Sequence, residues 1–208
     1  MNKRNNIIIV LIHGAILRTS TYKWLQELRN FLIEKGFINV HCFYWSGLVS
    51  KRAIRKAGKS LANLLLKLSE NNENASYRIY VKSTGALVFR SALEEMKNST
   101  TNISFDILLQ VASPNPPKEA FISNSVNEVV NIYSRKDRFL RFFISVGLFY
   151  NHSLLFKPTN DCGFQNIEIE DLSHDEFNWN TLVRKGQFTG RRLYDIYFEI
   201  LNNLGYEK

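Results

Sequence analysis

The sequence is poor in cysteine, in acids and in apolar runs of membrane length, and each shortage removes a class of protein. Two cysteines in 208 residues, Cys42 and Cys162, build neither a disulfide framework nor a thiolate metal cluster. That suits a reducing compartment, and a cytoplasmic location is the expectation. No stretch is long and clean enough for a membrane-spanning helix. The opening MNKRNNIIIVLIHGAIL has the basic head and apolar run of a secretion signal. No small-residue cleavage site follows, so it is expected to be folded structure. There is no internal repeat, no low-complexity tract and no mark of a second domain. Acids number 19 against 27 lysines and arginines, which leaves a net charge of +8. That balance raises nucleic acid and anionic membrane as partners but says nothing about fold.

What is present is a 45% hydrophobic chain, enough for one domain with a sizeable core. Its patterning alternates. IIIVLIH (7–13) is a continuous apolar run, which predicts a strand buried on both faces. Trp24, Leu25, Leu28, Phe31 and Leu32 recur at helical spacing, and Gly36 closes that helix. NVHCFYW (39–45) predicts a second strand. Residues 51–68 predict an amphipathic helix with Ile54, Ala57, Leu61, Leu64, Leu65 and Leu68 on one face. A third strand, YRIYV, runs into a helix bearing Leu87, Val88, Leu93 and Met96. Strands are predicted at 103–113, 126–134 and 165–172. A last helix, about 189 to 204, carries Leu193, Ile196, Ile200 and Leu204. The alternation predicts an α/β fold: a mainly parallel sheet of about six strands with helices on both faces.

The third strand ends at Lys82-Ser83-Thr84-Gly85, and a helix begins at once. A phosphate-binding loop would need glycines where Ser76 and Val81 stand, so a nucleotide cradle is excluded. The nucleophile elbow, Gly-x-Ser-x-Gly, fits better: Val81-Lys82-Ser83-Thr84-Gly85 keeps the second glycine and has valine for the first. A serine that only caps the helix is the plainer alternative. In parallel sheets, function concentrates at the carboxyl ends of strands. Those ends are His13-Gly14-Ala15-Ile16, the Ser83 corner, Ser134-Arg135-Lys136-Asp137 and Asp171-Leu172-Ser173-His174. Serine, aspartate and histidine thus come after strands in the order of the α/β-hydrolase triad.

On these motifs the chain resembles a small α/β-hydrolase-fold serine esterase or lipase over roughly residues 7 to 204, minimal and without a large cap. The family's His-Gly loop after an early strand, and its tryptophan some residues on, are matched by His13-Gly14 and Trp24. The resemblance implies Ser83 as nucleophile, Asp137 as orienting acid and His174 as general base. It implies the backbone N–H groups of Ala15 and Thr84 as oxyanion donors, with no metal and no cofactor. Two positions depart from the pattern: Val81 replaces glycine and crowds the turn, and Lys82 stands where histidine is common. The competing histidines are His152, in an apolar segment, and His41, mid-strand; the competing acids are Asp106, in a strand, and Asp161, in a loop. Three functions are compatible with this. The first is cleavage of a small-molecule or lipid-like acyl ester through an acyl-enzyme. The second is amide or thioester hydrolysis, or acyl transfer, on the same triad. The third, suggested by Val81, is a binding protein without catalysis.

The segment 139–156 is apolar nearly all round as a helix, with Arg141 and Ser145 as its polar strip. It reads either as core or as a cap or dimer surface whose Phe142, Phe143 and Phe149 line an acyl pocket and touch lipid. Lys82, Arg135, Lys136 and Arg138 read either as a basic site mouth or as a solvated rim. Lys51, Arg52, Arg55, Lys56 and Lys59 suggest peripheral membrane contact, with a solvated helix face as the alternative. No nucleic-acid motif or interleaved aromatics accompany them, so nucleic acid is not an expected partner.

Overall fold

Residues 7 to 12 favour one conformation: β-branched side chains suit the extended pleat, and neither face offers a polar group to water. In the computed structural model, which describes residues 6–15, 21–72, 74–97, 99, 103–113, 125–139 and 163–202, this run is β1 (Ile7–Ile12), buried throughout. Pleating sends Ile7, Ile9 and Leu11 into one apolar cluster and Ile8, Val10 and Ile12 into a second on the opposite face.

The chain continues through α1 (Thr21–Glu34), β2 (Asn39–Phe43), α2 (Lys51–Glu70), β3 (Ser76–Lys82) and α3 (Gly85–Met96). Then come β4 (Phe105–Val111), β5 (Val126–Tyr133), β6 (Phe164–Glu168), a short 3-10 helix (Glu176–Asn178) and α4 (Leu193–Asn202). The sheet runs β2-β1-β3-β4-β5-β6, and every neighbouring pair is parallel. Parallel neighbours need crossovers. α1 joins β1 to β2, α2 joins β2 to β3, and α3 joins β3 to β4. Trp24, Leu25 and Leu28 of α1 share the first cluster with Leu193, Ile196 and Ile200 of α4. Leu61 and Leu65 of α2 share the second with Val88, Phe89 and Leu93 of α3. Helices therefore cover both faces.

α2 shows how sequence sets these elements. Ser50 Oγ accepts the Ala53 N–H at 3.2 Å, a cap worth about 1 kcal/mol. Ala57, Leu61, Ala62 and Leu65 are buried, while Lys51, Arg52, Arg55, Lys56 and Lys59 face solvent. Among the described residues no helix is long and apolar enough to cross a membrane.

Two boundaries differ from the sequence expectation by more than two residues. β6 stops at Glu168, not 172. Ile169 still donates to Tyr133 C=O at 2.8 Å, but Asp171 then turns the chain at φ +65°. Ile169 and Leu172 stay buried, so the apolar alternation outruns the ladder. α4 begins at Leu193 because Leu182 and Arg192 first pair as an antiparallel bridge. Leu204 lies outside the described residues, as do Phe142, Phe143 and Phe149, together with His152, Asp161 and Cys162.

The order of the sheet fixes where a site can form. The chain passes from β1 to β2 on one side and then crosses to β3 on the other. The carboxyl ends of β1 and β3 therefore lie side by side at a topological switch, where open α/β sheets form a crevice.

Candidate active site

Ser83 occupies that switch point. β3 ends at Lys82, α3 begins at Gly85, and Ser83 between them sits at φ +50°. A left-handed conformation in a residue with a Cβ costs about 1–3 kcal/mol and persists only where its surroundings impose it. Here they do. Ser83 N–H donates to Val111 C=O at 3.0 Å, and Ser83 C=O accepts from Ala86 N–H at 3.2 Å. Gly85 lets α3 start against β1: a Cβ there would stand 2.8 Å from His13 O and 2.9 Å from Ile12 O. Gly14 lies as close to the serine, since its Cβ would fall 2.7 Å from Ser83 Cβ. Val81 is part of the buried cluster under α2 and α3, and the turn forms with valine in place. Ser83 is 2% exposed, and among the described residues its Oγ makes no hydrogen bond.

Asp137 and His174 come after β5 and β6, and the structure brings them together. His174 Nδ1–H donates to Asp137 Oδ2 at 2.8 Å, with Asp137 1% exposed. The loop bearing the histidine is closed by Glu176, whose Oε2 accepts from Ser173 N–H at 2.7 Å and Ser173 Oγ–H at 2.8 Å. The imidazole stacks on Phe139 at 4.5 Å between centroids. Burial pushes the His174 pKa below 6.5 against the opposing pull of the Asp137 hydrogen bond. The ring is therefore neutral near pH 7, and with Nδ1 protonated its Nε2 lone pair is available to take a proton. His41 sits in β2, the far edge strand, and Asp106 at the amino-terminal start of β4, the opposite end of the parallel strands from this pair.

The loop after β1 is set by His13. Trp45 N–H donates to His13 Nε2 at 3.1 Å, which leaves the ring proton on Nδ1. That proton is donated to Gly14 C=O at 2.7 Å. In a trans peptide the carbonyl and the next N–H point in opposite directions. Pinning Gly14 C=O therefore fixes the direction of the Ala15 N–H. Thr84, buried beside Ser83, stands at the N-cap position of α3 without a side-chain cap bond, and among the described residues no hydrogen bond ties up the N–H of either Ala15 or Thr84.

Lys82 is the residue whose place the sequence misjudged. It does not form part of a basic mouth: it is 4% exposed. Its Nζ donates to His174 C=O at 3.0 Å and to Asn178 Oδ1, and lies 5.7 Å from the centre of the Trp24 ring. Burial lowers its pKa to about 7, with Asp175 and Asp137 opposing. Arg135 and Lys136, read either as part of that mouth or as a solvated rim, are exposed and paired with Glu168 at 3.2 Å and Asp171 at 2.6 Å. The alternation of β3 was the available signal, since residue 82 falls on the same face as buried Tyr80.

A cleft of about 500 Å³ opens beside the histidine, lined by Lys136, Arg138, Phe139, Asp171, Ser173, His174, Asp175 and Glu176. Ser83 is not part of its wall.

No protein-family model and no curated protein matches the sequence. Solved structures do match. A Xanthomonas campestris α/β serine hydrolase without a lid aligns at TM-score 0.56 and 11% identity, covering 95% of this chain and 80% of that one. An α/β serine hydrolase homologue from Coxiella burnetii aligns at TM-score 0.53 and 13% identity, covering 95% and 85%. At such identities the likeness establishes the fold, six parallel strands between helices as in lidless α/β hydrolases, and leaves the chemistry to the residues.

Proposed function

We propose that this α/β-hydrolase-fold chain is a serine hydrolase that cleaves carboxylic esters. One observation carries the reading: a buried serine held left-handed at the switch point, on the same carboxyl edge of the sheet as a histidine bonded to a buried aspartate at 2.8 Å. A serine hydroxyl alone is a weak nucleophile. In the proposed first step His174 Nε2 takes the Ser83 Oγ–H proton as Oγ attacks the ester carbonyl carbon. Asp137 holds the imidazole tautomer and stabilises the imidazolium. The carbonyl oxygen becomes an oxyanion facing the N–H groups of Ala15 and Thr84; losing one such donor typically costs about 3–4 kcal/mol. The tetrahedral intermediate collapses, the C–O bond to the leaving alkoxide breaks, and His174 returns the proton to that oxygen. Water, deprotonated by the same histidine, then hydrolyses the acyl-enzyme.

The test is labelling with a fluorophosphonate and mapping of the adduct. Ser83 is expected to carry it, and Ser83→Ala to abolish both labelling and ester turnover. An adduct on Ser134 or Ser173 would overturn the assignment. One observation favours a second reading: Ser83 Oγ makes no hydrogen bond among the described residues, and a fold that kept the corner without the relay would be a binding protein. In unliganded hydrolases the serine–histidine bond is often long and tightens with substrate. An inert Ser83 would decide for binding.

A further inference from the structure

The lysine before the nucleophile has no part in the Ser83–His174–Asp137 relay, yet it is buried against it. A buried ammonium is costly, and an apolar residue of similar length would suit the core better unless the charge or its hydrogen bonds are used. Its surroundings are specific. Lys82 Nζ spans from the end of β3 to the His174 carbonyl at 3.0 Å and to Asn178 Oδ1 in the 3-10 helix. On its other side α1 contributes the Trp24 ring. The charges acting on it are Asp137, after β5, and Asp175, next to the histidine.

We propose that Lys82 is a positioning residue: it fastens the loop that carries His174 to the residue before Ser83, and it is a charge that the imidazole feels. This rests on the triad reading. The strut and the charge separate with pH. A neutral amine has two N–H donors, and two protein oxygens accept here, so deprotonation keeps the strut and removes the charge. Below about pH 7 the ammonium disfavours the imidazolium that forms when Ser83 gives up its proton; Lys82 already acts to lower the His174 pKa. Turnover should therefore rise with pH through two ionisations, His174 below 6.5 and Lys82 near 7.

The experiment compares Lys82 with Lys82→Met, an apolar replacement of similar length. In Ser83→Ala protein, NMR of the His174 imidazole reads its titration midpoint without any turnover. Lys82→Met is expected to move that midpoint upward. In the active protein the same change should lower kcat/KM roughly tenfold or more and leave one ionisation in the acid limb. The melting temperature should change little, because the lost cost of a buried charge offsets the two hydrogen bonds removed. Asn178→Ala, which keeps the ammonium and removes one acceptor, is expected to lower kcat/KM and leave two ionisations. An unmoved midpoint with unchanged turnover in Lys82→Met would overturn the proposal. So would a melting temperature that falls in step with activity while the pH profile keeps its shape. If Ser83 proves inert towards fluorophosphonate, the triad reading fails, while the NMR midpoint still reports whether Lys82 and His174 are coupled.

Discussion

The serine corner and the histidine loop meet at one edge of the sheet but are held by different forces. Backbone holds the serine corner: Ser83 N–H bonds Val111 C=O, and Gly14 and Gly85 admit main chain where no Cβ fits. Side chains hold the histidine loop: Asp137 on the ring, Lys82 on the carbonyl, Glu176 across Ser173. The first kind of support is steric and insensitive to pH. The second is made by ionisable side chains and their hydrogen bonds.

The comparison breaks first, and most visibly, at Asp137→Asn. The amide keeps the size of the acid but can favour the wrong imidazole tautomer, and kcat should fall by about 10⁴. The melting temperature should change far less than in a core variant. A fall in activity that merely tracks unfolding would show the aspartate to be structural. Next in size is Gly85→Ala, which presses a methyl group onto His13 O and Ile12 O, backbone atoms that cannot yield as a side chain can. A loss of about 1–3 kcal/mol is expected in denaturant melts. A neutral result would mean that the serine corner is not held by close backbone packing. The smallest effect is expected at Glu176→Gln, where a weaker acceptor faces Ser173. A loss of about 1 kcal/mol, with a modest rise in KM or fall in kcat, would match a loop held by capping. A larger effect than Gly85→Ala would invert the comparison.

Much of this was legible in the sequence because burial on both faces leaves a plain mark. IIIVLI could hardly be anything but an inner strand, and His13, Ser83, Asp137 and His174 stand out because each lies just past the end of a predicted strand. The inward path of Lys82 was legible only in part, from the β3 alternation that puts it on the face of buried Tyr80. A lysine at a strand end reads as solvated, and nothing in the linear order shows that Trp24, from another helix, will lie over it. The end of β6 was overread for a related reason: Ile169 and Leu172 keep their apolar places after the chain has left the ladder. Hydrophobic pattern records burial, and burial continues past hydrogen bonding.

The Lys82 contact also has a consequence for the order in which the molecule can be completed during synthesis. Ninety-two residues separate Lys82 from His174, whereas the strands on either side of β3 are β1 and β4. A chain leaving the ribosome amino end first can seat the serine corner once Val111 is available. Its lysine then waits, without its oxygen partners, for β5, β6 and the loop beyond them. Until that loop docks, an ammonium faces a half-built pocket that cannot close dry around it. On the proposed reading, Ser83 is then in place before His174 can reach it.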